Sequence, residues 1–166
     1  MRRFALSLAA LFACGCGPAS VTGTVGGNPI DSQDAVAELS TGIVDTLHVV
    51  IGGSSSDLCQ DLSQGVLHQG QSLLQLDIVV GQIADSSYAI GVGSNGIVSA
   101  EASKLDTACG DILKRGASGG TITLTKIAGS DIEGSFDLTF DGGDHLTGSF
   151  QAPLCANTAV DLKTCQ

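Results

Sequence analysis

Apolar and polar positions alternate with a period of two over most of this chain, and the alternation is cleanest in the last third. Ile122 and Leu124 alternate with Thr121, Thr123 and Thr125. Ile132, Phe136, Leu138 and Phe140 alternate with Asp137 and Thr139, and Leu146 and Phe150 with Thr147 and Ser149. Residues two apart share a face of a strand, so each segment has one dry face and one wet face. Ala128-Gly129-Ser130-Asp131 and Asp141-Gly142-Gly143-Asp144 separate them, and glycine there reaches positive φ without steric penalty. The pattern predicts a three-stranded antiparallel meander.

Shorter runs repeat the period upstream. Residues 21–25 read as a strand closed by the Gly26-Gly27-Asn28 turn, with residues 34–39 as the return. Leu47, Val49 and Ile51 form another strand, Leu74, Leu76, Ile78 and Val80 the next, then Tyr88, Ile90 and Val92, then Val98, Ala100 and Ala102. About nine strands at this spacing predict an all-β domain, an antiparallel sandwich or barrel. One helix is expected over residues 57–69, where Leu58, Leu62, Val66 and Leu67 fall near one face and Ser56 or Asp57 can cap it. A second helical reading covers residues 105–115, interrupted by Gly110. Residues 52–56, Gly-Gly-Ser-Ser-Ser, read as a loop.

The N-terminus breaks this pattern. Arg2 and Arg3 precede a short apolar run over residues 4–13. Ten helical residues cover about 15 Å, half of a hydrocarbon core, so the run is too short to span and reads as a secretory signal. It ends in Cys14-Gly15-Cys16-Gly17-Pro18. This end resembles the lipobox of bacterial lipoproteins, in which the cysteine becomes the first mature residue and carries lipid. Cys14 follows Leu11-Phe12-Ala13, with the expected Leu but a bulky Phe; Cys16 follows the small residues Ala13-Cys14-Gly15. Cleavage before Cys16 leaves Cys59, Cys109, Cys155 and Cys165, which can form two disulfides with none left over. Cleavage before Cys14 leaves an odd thiol. Cys16 is therefore preferred for lipidation, with Cys14 as the alternative. The expected organisation is a signal over residues 1–15, an anchor and tether over 16–22 and one β-domain over 23–166.

Composition sharpens this picture. The precursor has 7 Lys and Arg against 17 Asp and Glu, a net charge of −10. Loss of Arg2 and Arg3 leaves Lys104, Lys114, Arg115, Lys126 and Lys163 against all 17 acids, or −12. A chain this acidic is poorly suited to nucleic acid, because phosphate neutralisation needs clustered basic residues. With no Trp and 4% aromatic residues, it also lacks the platforms that usually accompany sugar chemistry.

Motifs point to local structure more than to chemistry. Residues 91–96 satisfy G-x-G-x-x-G, but Ile97-Val98-Ser99-Ala100 continues as strand where a nucleotide site needs a helix. Ser118 lies in Gly116-Ala117-Ser118-Gly119-Gly120, a G-x-S-x-G placed before a strand, the reverse of a nucleophile elbow. The sequence reads it as a loop. His48, His68 and His145 stand singly without ligand spacing, with His48 and His145 expected on outer strand faces. Asp137, Asp141 and Asp144 cluster around one hairpin and are the only calcium candidates, without EF-hand spacing. Cys59, Cys109, Cys155 and Cys165 lack metal or redox spacing and read as structural disulfides, of open connectivity. No cofactor is implied.

The segments 120–124, 134–140 and 146–155, the last ending Ala-Pro-Leu-Cys, resemble the C-terminal signature of small uncharacterised β-rich lipoproteins of Gram-negative bacteria. The resemblance implies a β-domain anchored to the outer membrane, facing the periplasm or cell surface, and transfers no catalytic residue. The leading expectation is a non-catalytic binding or structural envelope protein, joined to the membrane by its N-terminal lipid, with its protein or small-molecule partner unidentified. The alternatives are a carrier of a small apolar ligand inside a barrel, with residues 58–67 as lid or plug, and an exported hydrolase using Ser118 or the acidic hairpin.

Overall fold

The alternating segments close into a barrel. The computed structural model describes residues 17–53, 57–93 and 95–155, and the backbone of residues 164–165. Its wall is made of β1 (Gly17–Val25), β3 (Asp34–Ser40), β4 (Asp45–Gly52), β6 (Ser72–Val80), β9 (Gly96–Leu105), β10 (Asp111–Ala128), β11 (Asp131–Phe140) and β12 (His145–Pro153). Each pairs antiparallel with the next along the chain, and β12 returns to β1, so the wall is an eight-stranded up-and-down barrel. Closure removes the exposed sheet edges that a sandwich would keep. The accessory elements are β2 (Asn28–Pro29), α1 (Leu58–Gln64), β5 (Val66–Leu67), β7 (Ser87–Ala89), β8 (Gly91–Gly93) and β13 (Thr164–Cys165). The residues expected as signal and anchor, Cys14 and Cys16 among them, lie outside the described residues, as do residues 54–56 of the Gly/Ser patch.

Alternation along the wall strands sends one set of side chains inward. Leu47, Val49, Ile51, Leu74, Leu76 and Ile78 meet Ile122, Leu124, Leu138 and Leu146 in one continuous apolar cluster. The matching triplets Gly134-Ser135-Phe136 and Gly148-Ser149-Phe150 have a packing reason. The β11–β12 register sets Gly134 opposite Phe150 and Phe136 opposite Gly148. A Cβ on Gly134 would come within 2.7 Å of the Phe150 ring, and one on Gly148 would strike the Phe136 ring. Each ring thus fills the space that its partner glycine leaves open.

Two expected segments take another form. The residues read as a tether belong to β1, whose Ala19 and Val21 pack against the core; their alternation with Ser20 and Thr22 continues that of residues 21–25. Residues 105–115, read as a helix, are instead the end of β9, a turn and the start of β10. The turn is organised by Asp106, whose carboxylate accepts from the N–H groups of Ala108 (2.7 Å) and Gly110 (2.8 Å), with Cys109 at φ 57°. Such side-chain turns compete with helix formation.

The helix over 57–69 forms as α1 alone, and Val66 and Leu67 become β5. Asp57 caps it by accepting from Gln60 N–H at 3.0 Å, and Gly65 ends it at φ 67°. Leu58 and Leu62 pack on Val36, Val50, Leu73 and Cys155. On their strands Val36, Val50 and Leu73 alternate with the inward residues, so α1 covers the outside of the wall and is neither lid nor plug. A disulfide joins Cys59 to Cys155, Cα to Cα 5.8 Å, across 96 residues of sequence. Cys109 is also disulfide-bonded, and the β13–β5 pairing sets the backbone of Cys165 beside Leu67.

Because the strands alternate in direction, the start of β1 shares one barrel end with the β3–β4, β6–β9 and β10–β11 connections and the end of β12. We call this the proximal end. The β1–β3, β4–β6, β9–β10 and β11–β12 connections form the distal end.

Candidate functional site

The barrel wall splits on its proximal side. β9 and β10 pair only from Gly116↔Glu101 to Asp111↔Leu105. Beyond that point β9 pairs with β8 (Val92↔Ile97) and β10 with β7 (Ile122↔Tyr88). Residues 81–93 and Asn95 thus fill the split, and two adjoining recesses of about 210 and 580 Å³ open around Tyr88. Both are lined by Val80, Ser87, Tyr88 and Asn95; Gln82 and Ser86 add to the larger. The lining is mixed, apolar at Val80, Ala84 and Tyr88 and polar at Gln82, Ser86, Ser87 and Asn95, and it includes no charged side chain. Local bonds fix its shape: the Tyr88 hydroxyl accepts from Ala84 N–H and donates to Ala84 C=O, each at 2.8 Å. Ile83 N–H donates to Asp45 at 3.0 Å and Ile90 N–H to the Gly120 carbonyl at 3.0 Å.

The G-x-G-x-x-G segment is the outer lip of this split. Gly91–Gly93 is β8 and Gly96 opens β9, with no helix to gather N–H groups on a phosphate. Gly96 sits at φ 145°, where a Cβ would come within 2.9 Å of the Val80 Cα. Its glycine therefore serves close strand approach.

The other candidates are held by neighbours. Ser118 stands in β10 at a register shift between Ala117 and Gly119, a bulge within a strand and not a loop. Its hydroxyl donates to the Thr139 carbonyl at 3.3 Å. His145 Nε2 pairs with Asp137 Oδ1 at 2.7 Å on strand β12, two strand spacings or about 10 Å from β10. Among the described residues no hydrogen bond joins Ser118 to a histidine, so the parts of a nucleophilic triad are not assembled.

All three histidines face aspartates. His48 Nδ1 lies 2.5 Å from Asp77 Oδ1, and His68 Nε2 lies 2.9 Å from Asp61 Oδ2. The hydrogen bond to Asp77 raises the His48 pKa above its ordinary 6.5, against the opposing effect of partial burial. The Asp77 and Glu38 charges add to the rise.

The calcium candidates are directed elsewhere. Asp144 accepts from Gly26 N–H at 2.7 Å and from Arg115 Nη1 at 3.2 Å, while Arg115 also donates to the Asp141 carbonyl at 3.5 Å. Asp137 is engaged by His145. No metal-sized group of three His, Cys, Asp or Glu side chains occurs among the described residues.

Sequence reading missed the recess because its residues share no chemical motif. Its one signal was length: fifteen residues, 81–95, separate two strands that pair directly, far more than a hairpin needs. Comparison of the chain with protein-family models, curated proteins and solved structures gave no match.

Proposed function

We propose that this is an exported, lipid-anchored envelope protein that binds without catalysis, taking a small neutral ligand with both polar and apolar surface in the recess around Tyr88. One observation carries the binding reading: the barrel core is filled with apolar side chains, whereas the recess presents uncharged polar groups beside apolar ones over a small-molecule-sized volume of about 580 Å³. The Ser118 hydroxyl donates to the Thr139 carbonyl and not to a histidine, which speaks against a serine hydrolase. The Cys59–Cys155 disulfide suits an oxidising compartment, in keeping with the signal-like N-terminus and the lipobox resemblance at Cys16.

Native mass spectrometry of the membrane-extracted protein tests the proposal. The expected species starts at Cys16, carries acyl chains, shows no alkylatable thiol before reduction and releases a small bound molecule on activation. A mass without acyl groups overturns the anchor; a free thiol on a Cys16-started chain overturns the two-disulfide arrangement.

A further inference from the structure

Six large apolar side chains are exposed among the described residues: Ile43, Val44, Val92, Ile97, Ile112 and Leu154. Their distribution is one-sided. Ile43 and Val44 form the β3–β4 turn, and Ile43 is fully exposed. Val92 and Ile97 are directly opposed residues of β8 and β9 beside the β8–β9 turn. Leu154 follows the last residue of β12. All five belong to the proximal end, and only Ile112, at the start of β10, is distal. Exposed apolar side chains gathered at one end of a domain signal a contact with an apolar phase.

Acidic side chains lie at both ends, with Asp45, Asp85, Asp131 and Glu133 toward the proximal one and Asp31, Asp106, Asp141 and Asp144 toward the distal one beside Lys104, Lys114 and Arg115, so charge does not set itself against the apolar proximal end. The chain connection selects the same end. β1 begins at Gly17 on the proximal side, and Cys16, the candidate acylated residue, precedes Gly17 directly in the sequence. With no tether between lipid and barrel, the acyl chains would hold this end at the bilayer.

We infer that the proximal end rests on the lipid surface, with Ile43, Val44, Val92, Ile97 and Leu154 reaching the boundary between headgroups and acyl chains and the distal end turned to solvent. This inference rests on the anchor proposed above, and it sets the Tyr88 recess near the level of the lipid headgroups. Side chains of this kind insert about 5–10 Å into that boundary.

The absence of tryptophan makes single-Trp reporters unambiguous. The acylated full-length protein carrying Ile43→Trp, Val92→Trp or Ile112→Trp would be reconstituted into phosphatidylethanolamine–phosphatidylglycerol vesicles with brominated acyl chains. All three positions are solvent-exposed, so the substitutions leave the core untouched. At least about twofold stronger quenching is expected at positions 43 and 92 than at 112, with blue-shifted emission at the first two. If the acylated protein floats with the vesicles but positions 43 and 92 are quenched no more than 112, the orientation is wrong and the anchor stands. If the protein lacks acyl groups and does not float, the anchor reading fails and the orientation falls with it. A concentration-dependent blue shift in detergent without lipid would reassign the surface to self-association and overturn the inference.

Discussion

The two halves of the barrel bury the same kind of interior but differ on the outside. Across β10, β11, β12 and β1, the outward positions are mostly hydroxyls and charges, with Ile112 at the start of β10 an exposed apolar exception. Thr123, Ser135, Ser149 and Ser20 lie in one register row, and Ser20 and Ser149 share a 3.0 Å hydrogen bond. Across β3, β4 and β6, the outward Val36, Val50 and Leu73 are buried again beneath α1. The first half is a single layer facing water. The second is two layers, with the outer one tied down by the Cys59–Cys155 disulfide. The difference shows that strand alternation records what covers the outer face as much as what fills the inner one.

The largest test of this contrast is in the single-layered half. Phe136→Ala removes a ring that packs over Gly148 and leaves a glycine facing a void. A loss of about 3–5 kcal/mol is expected for such truncations, read as a lowered denaturation midpoint for the whole domain. Cys59→Ser should cost about 2–4 kcal/mol and act on the other half: amide exchange should accelerate in α1 while β11 and β12 keep their protection. Equal acceleration in both would show that the layers do not separate.

The smallest effect concerns the outer face of β4 and β6, within the second half. The Asp77 carboxylate raises the His48 pKa, so the folded state holds that proton more tightly than the unfolded chain. The resulting stabilisation is complete below about pH 6.5 and disappears as pH rises through the raised folded value. The pair is about a third exposed, and pairs of that exposure contribute about 0–1 kcal/mol. Thermal melts across this range should show a small alkaline loss in the native protein that His48→Gln abolishes; an unchanged profile in that variant would assign the loss elsewhere.

The same contrast explains what could be read from the sequence. The meander was legible because its outer face meets water, which keeps Thr, Ser and Asp between the apolar positions. β4 and β6 were recognisable but blurred, since Val50 and Leu73 are apolar on the face beneath α1. The capped start of α1 was legible because Asp57 and the Leu58–Leu62 spacing are local signals. Whether the sheets formed a sandwich or a barrel was not, because closure depends on β12 meeting β1, a pairing more than a hundred residues apart that no local pattern encodes. The helical reading of residues 105–115 failed for lack of weight on Asp106, whose turn bonds end β9 there. The recess stayed hidden because it is made by the divergence of β9 from β10, a property of register and not of any residue type.

The pairing of β1 also decides how the barrel would bear tension. A pull on the residues before Gly17 runs along the axis of β1. It loads the six register pairs from Ala19↔Phe150 to Thr24↔His145 in parallel, as shear. The rungs then share the force, whereas a pull across the strand would peel them one at a time. The two pairs with β3, Gly17↔Ala35 and Pro18↔Asp34, sit where the load enters and would yield first. An anchored barrel tugged from its N-terminus would therefore loosen at its seam with β3 before it surrendered the strand that holds it to β12.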